Sequence, residues 1–190
     1  MIVVTAPTVE PVSLPQAKFH LKMIQDPADE TAHPQDAEVR AMISAAREYA
    51  EQFCQRAFAA ATYEARGAGF DVPLLAPVTS IVSVKYLDPE GAEQTLADTV
   101  YEIASNPDAP ALRLRIAQVW PAIYNREDAV RVQFKAGPAP EAVSFLVKAA
   151  MLLIVGSLDQ NRQEVGDKQT FTLPLSVQNL LMPYRVGLGV

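Results

Sequence analysis

The chain has one cysteine, Cys54, two histidines, His20 and His33, and one tryptophan, Trp120, among 190 residues. A single cysteine excludes an internal disulfide framework and sets no redox compartment. The two histidines stand in no paired ligand motif, which excludes the common zinc patterns. Positive charge is also scarce, with 16 Lys and Arg against 22 Asp and Glu, a net charge of −6 and a pI near 4.9. Tight DNA binding needs clustered cations to displace phosphate counterions, so it is not expected. The densest basic pair, Arg113 and Arg115, alternates with Leu112, Leu114 and Ile116 and reads as the wet face of a strand. Long apolar runs are nearly missing. The main one, residues 142–158, carries Lys148 as its single charge and includes Ser144. It sits at the short end of the ~17 to 25 residues a spanning helix needs, so no membrane span is expected. Residues 1–7 show no charged leader before an apolar core, so the expectation is a soluble chain made in the cytoplasm, without a signal peptide.

What is present is apolar surface in excess. Hydrophobic residues make up 49% of the chain and charged residues 20%, which implies that some surface is covered by a partner. A helix apolar on every face, as residues 142–158 predict, must be covered by the rest of the fold or by a neighbouring subunit.

Residues 1–12 carry two prolines and several β-branched residues and read as an extended arm. Ser13 and Gln16 have capping-box spacing, and Pro15 suits a first turn, so a helix is predicted over residues 13–25 with Leu14, Ala17, Leu21 and Ile24 on one face. A longer helix is predicted over 34–58. Its buried stripe holds Val39, Met42, Ile43, Ala46, Tyr49, Ala50, Phe53 and Ala57, with Arg40, Arg47, Glu48, Glu51 and Arg56 on the solvated side. Between residues 61 and 138 the period changes. Strands are predicted at 62–66, 79–87, 100–103, 111–116 and 130–135, with Asp88-Pro89-Glu90-Gly91 as a turn. A last long helix is predicted over 141–161, a loop over 163–171, and one helical turn at 178–181 stopped by Pro183. The expected fold class is α+β, mainly α: two N-terminal helices and a C-terminal helix form a scaffold, with an inserted antiparallel β module and extended terminal arms. The expected divisions are 1–60, 61–139 and 140–190.

Chemistry is hard to find. Cys54 falls beside the buried stripe, where a packed thiol is expected rather than a nucleophile. Asp26, Asp29, Glu30 and Asp36 match no calcium-loop spacing and read as a solvated loop at a helix start. Gly67-Ala68-Gly69 is followed by no helix and cannot cradle a phosphate. Trp120 is expected to anchor the β module by burying its indole, an exposed contact being the alternative. No metal, no cofactor and no catalytic residue is expected, and the chain is not expected to be an enzyme.

Several local patterns, in this order, resemble the head-to-tail connector, or adaptor, family of long-tailed bacteriophages and gene transfer agents. They are Leu14-Pro15-Gln16-Ala17-Lys18-Phe19-His20-Leu21, Ile43-Ser44-Ala45-Ala46-Arg47-Glu48-Tyr49-Ala50-Glu51, and Leu74-Leu75-Ala76-Pro77-Val78-Thr79-Ser80-Ile81. Tyr101, Trp120-Pro121, Val132-Gln133-Phe134-Lys135-Ala136-Gly137, Lys148-Ala149-Ala150-Met151-Leu152-Leu153, Asn161-Arg162 and Leu180-Leu181-Met182-Pro183-Tyr184-Arg185 continue the series. The Arg-Glu often found after the Asn in the family is here Arg162-Gln163-Glu164, so partner identity does not follow. The resemblance implies a virion protein of the neck: a homo-oligomeric ring of twelve copies under the portal protein, extending the DNA channel without sequence-specific binding. On its far side it docks a tail-side neck or tail-terminator protein. On the same analogy residues 171–190 reach a neighbouring protein, with Leu180, Leu181, Pro183, Tyr184 and Arg185 as anchors, and Leu146, Ala150, Leu153 and Ile154 pack subunits together. Two other readings stay open. Leu180 and Leu181 close the chain's own core, or the chain is of another class, either a small-molecule enzyme or binding domain with a pocket between helices and sheet, or another virion ring such as a tail terminator.

Overall fold

A computed structural model describes residues 1–104, 106, 108–160 and 175–187. The chain divides into two compact units, one made of Met1–Thr8 and Ala60–Pro138, the other of Val9–Ala59 and Ala139–Val190. Helix accounts for 32% and strand for 23% of the residues, so the expectation of a mainly α protein is corrected to a balanced α+β architecture. The β share was underestimated because two short strands carry no alternating apolar signal.

The first unit holds β1 (Ile2–Thr5), β2 (Ala61–Gly67), β3 (Val78–Leu87), β4 (Glu93–Thr95), β5 (Tyr101–Ile103), β6 (Leu112–Leu114) and β7 (Val130–Ala136). Five of them form an antiparallel sheet in the order β1-β2-β7-β3-β4, and β5 pairs β6 separately. On β2 and β7 alternate residues are buried, Ala61, Tyr63 and Ala65 against Val130, Val132, Phe134 and Ala136, which is the period-2 pattern of a sheet with one covered face. Tyr63 lies opposite Phe134 in register, with their rings 5.8 Å apart. Strand β3 alternates poorly because its register shifts twice, between Val78 and Ser80 and between Ile81 and Ser83.

Beyond β3 the Asp88 carboxylate accepts hydrogen bonds from the Glu90 and Ala92 amides and Gly91 takes φ +84°, so the turn read from sequence forms and leads into β4, a strand not anticipated. A Cβ at Gly67 would meet Val72 Cγ2 at 2.8 Å, so this glycine serves close packing. The N-terminal residues are not a free arm. Residues 2–5 pair with β2, and further on Pro11 and Val12 are buried in the other unit.

The second unit holds α1 (Leu14–His20), α2 (Asp36–Cys54), α3 (Phe145–Gln160) and α4 (Leu175–Leu181). The capping box at α1 is present in both directions: the Gln16 amide donates to Ser13 Oγ, and the Ser13 amide donates to Gln16 Oε1. The helix ends five residues before the predicted limit, where Lys22 turns to φ 59°. Helix α2 stops at Gln55 in the left-handed conformation. Its stripe, with Val147, Ala150, Met151, Ile154 and Val155 of α3 and Val177 and Leu181 of α4, makes one core. No described helix is long and apolar enough to cross a membrane.

Two buried cations brace this core. Lys18, 1% exposed, donates to the Thr31 carbonyl at 2.7 Å and lies 3.1 Å from Asp36 Oδ1. Arg47 was expected on the solvated side of α2 but is buried. It meets Glu10 at 2.9 Å and Glu51 at 2.6 Å, and Glu51 also accepts the Phe58 and Ala59 amides. The segment before α1 and the segment after α2 thus close over the arginine, a cover that helix periodicity does not reveal. Burial works to lower the Arg47 pKa, but the charges of Glu51 and Glu10 outweigh it and the net direction is upward.

Two outcomes are expected. Arg47→Ala strands two carboxylates and should cost about 3 kcal/mol of unfolding free energy in urea titration. The Asp36 carboxyl is held below its ordinary range, first by the His33 amide and then by Lys18 against an opposing effect of burial. A carboxylate with a depressed folded pKa stabilises above its unfolded value and loses that contribution as pH falls through the folded one. Melting temperature should therefore drop below about pH 4, and Asp36→Asn should flatten that acid limb.

Candidate interaction site

Helix α3 has apolar residues all round, and its own unit does not cover them all. Val147, Ala150, Met151, Ile154 and Val155 face the core, whereas Phe145, Leu146 and Leu153 are exposed, Phe145 at 86%. Along one side Phe145, Lys148, Ala149 and Leu152 follow the i, i+3, i+4, i+7 spacing of a single helical face. Opposite them Val12, Gln16, Phe19 and His20 come from α1 and its entry, joined by Lys22, Ile24, Gln25 and Pro27. Together they line a mainly apolar cavity of about 940 Å³. The two helices come close at Gly156, where an added Cβ would sit 3.4 Å from His20 Nε2. The lining carries Lys22, Lys148 and His20 and no carboxylate, and Lys148 lies 5.7 Å from the Phe145 ring centre. This groove lies within the helical unit. It was not anticipated, because the spacing of α3 alone does not say which flank a second helix leaves open.

The predicted anchors fall in different places. Leu181 is fully buried, Leu180 packs against the core, and the Tyr184 hydroxyl donates to Ser144 Oγ at 2.6 Å with its ring edge-on to Phe58. The Val186 amide donates to the Cys54 carbonyl at 2.8 Å. Residues 175–187 therefore fold back on their own unit, with Leu181 inside its core and Leu180 partly buried against it. Pro183 and Arg185 are exposed, Arg185 resting 5.4 Å over the Phe53 ring. Of the four residues expected to pack subunits, Ala150 and Ile154 are taken up by the chain's own core, while Leu146 and Leu153 remain on the surface. Residues 161–164, 171–174 and 188–190, on which other expectations rested, lie outside the described residues.

Cys54 is buried, with its thiol 3.5 Å from the Leu181 carbonyl, and burial pushes its pKa up to about 11 against a weaker opposing pull from Arg56 and Arg185. Such a thiol is a poor nucleophile at neutral pH. Among the described residues no three His, Cys, Asp or Glu side chains gather into a group that could hold a metal ion.

A second apolar feature lies on the sheet unit. Arg115 is tied to Val100 and Tyr101 by its backbone and side chain, and Trp120 stacks on Phe70 at 4.4 Å with the rings 8° apart. Trp120 is thus an anchor, though half-buried. Between the two, a turn closed by the Gln118 amide on the Arg115 carbonyl, with Ala117 at φ 64°, leaves Ile116 98% and Val119 82% exposed. Ile116 was expected at the end of a strand; β6 stops two residues earlier.

No protein-family model matches the chain, and no curated protein matches its sequence. Solved structures do match its fold. A chain in the neck of an empty gene transfer agent (GTA) particle, computed with C6 symmetry, superposes with a TM-score of 0.74 at 19% identity, over 100% of this chain and 98% of that one. One from the virion of a native GTA particle gives 0.72 at 18%, over 98% and 97%. Another, from the neck of a native GTA particle computed with C12 symmetry, gives 0.67 at 17%, over 100% and 98%. The chain has the fold of these particle components along its whole length.

Leu181→Ala should cost about 3 kcal/mol in chemical denaturation, a core-truncation effect, while exposed Arg185→Ala should stay within about 1 kcal/mol. Cys54 should resist alkylation in the native protein and react fully in denaturant, as read by mass spectrometry.

Proposed function

We propose that this chain is a structural protein of a virion neck, a head-to-tail adaptor whose copies form a twelve-membered ring beneath the portal. The ring prolongs the channel through which DNA passes and presents a face to the next tail-side protein. The observation that carries this reading is the end-to-end likeness in fold to components of GTA particles, two of them from necks treated with rotational symmetry. The physical features agree with it. Exposed apolar groups on both units provide two dissimilar faces, as a closed ring of identical copies requires. A net charge of −6 disfavours retention of DNA, whose phosphates a channel must let slide.

The test is genetic and visual. Cells that produce particles containing this chain are compared with cells deleted for its gene. Loss is expected to leave DNA-filled heads and separate tails, with joining restored by the wild-type gene, and averaged images of intact particles should show ring density at the neck that the deletion removes. Normal joining without the chain would overturn the proposal.

A further inference from the structure

We infer that residues 24–32 form a strap that lifts off the helical core as a unit of its own, pinned shut at one point by the buried ammonium of Lys18. The strap leaves α1 by way of Lys22, whose φ of 59° turns the chain away, and rejoins the fold at His33, whose amide donates to Asp36 Oδ2.

Little else holds it. Of residues 25–32 none is buried: Asp29 is half-buried and the others are exposed, so there is almost no covered apolar area to keep the segment down. Its own polar groups are satisfied locally. The Ala28 amide donates to Asp26 Oδ1, the Asp29 amide to the Asp26 carbonyl and the Thr31 amide to Asp29 Oδ1. Among the described residues, one hydrogen bond ties the strap to a distant part of the chain. In it Lys18 Nζ, on a residue 1% exposed, donates to the Thr31 carbonyl at 2.7 Å. A segment with so few buried contacts and a single long-range bond opens at far lower cost than the core beneath it.

The pin also releases without leaving a stranded charge. Lys18 Nζ lies 3.1 Å from Asp36 Oδ1, in the first turn of α2. When the strap lifts, the ammonium keeps this carboxylate and meets water in place of the Thr31 carbonyl, so no unpaired cation stays buried. The consequence reaches the groove. Ile24, Gln25 and Pro27 of the strap line one part of it, against α1 and α3. Opening takes that wall away. The strap thus sets how wide the groove stands, whether or not copies assemble into a ring.

Two residues of the wild-type chain report the two kinds of opening, because Lys18 lies under the strap and Cys54 lies in the core. The purified chain is exposed to trace acetylating reagent, or to iodoacetamide, in rising urea below the unfolding transition. Labelling at each residue is read by mass spectrometry. Local opening exposes little surface, so the Lys18 rate is expected to stay flat while the Cys54 rate climbs with urea. Rates that climb in parallel overturn the strap, as does Lys18 labelling as fast as the exposed Lys22 without urea. Independently, Lys18→Met removes the pin and leaves an unbranched apolar side chain in the same space. A glutamate-specific protease is expected to cut after the exposed Glu30 about tenfold faster or more in this variant, with cutting after Glu48 in α2 unchanged. No gain at Glu30, or an equal gain at both sites, overturns the strap.

Discussion

The helical unit is organised by a helix with more apolar perimeter than its own chain can hide. Helix α3 carries two charges in sixteen residues, Lys148 and Asp159, and no polar face to give to water. Helix α2 covers one side, α4 packs on it as well, and α1 approaches near Gly156. The remaining flank, from Phe145 to Leu152, opens into the groove. Because burial of apolar area is the main favourable term in both folding and association, the same surplus that draws the core together leaves a surface suited to a partner.

Polar groups set how that core is closed. Arg47 and Lys18 are buried cations, and each is useful structurally because it must be met by groups outside its own helix: Glu10 for Arg47, with Glu51 one turn along α2 beside it, and Thr31 and Asp36 for Lys18. Leaving either cation unpaired would be far more costly than omitting it, so the connections around α1 and α2 have little freedom to settle elsewhere. The C-terminal residues 175–187 close the remaining side through Leu181, Tyr184 and Val186. Their chemistry suits a partner contact equally well, which is why an anchor and a core residue look alike in a sequence.

Local signals were legible where a few neighbouring residues decide the outcome. The Ser13 and Gln16 box, the Asp88 to Gly91 turn and the alternation of β7 all appear where residue type and spacing place them. Signals failed where cover comes from elsewhere. Arg47 sits on the polar side of a helical wheel and is nonetheless enclosed; Ile116 continues an alternating pattern and nonetheless stands out at a turn. β1 and β4 are edge strands with no periodic burial, each stabilised by one paired neighbour, so their existence depends on β2 and β3 being in place. The groove needed two helices brought side by side.

The amino-acid order by itself determined the capping box of α1, the Asp88 to Gly91 turn, the alternating strands and the surplus of apolar surface on α3. These depend on contacts within a few residues or on composition. Only the tertiary structure decided which of those apolar groups are consumed at home, Ala150, Ile154 and Leu181, and which are left outward, Phe145, Leu146, Leu153 and Ile116. The reason is that burial belongs to a pair of surfaces, and a one-dimensional pattern specifies a face without specifying what comes to lie against it.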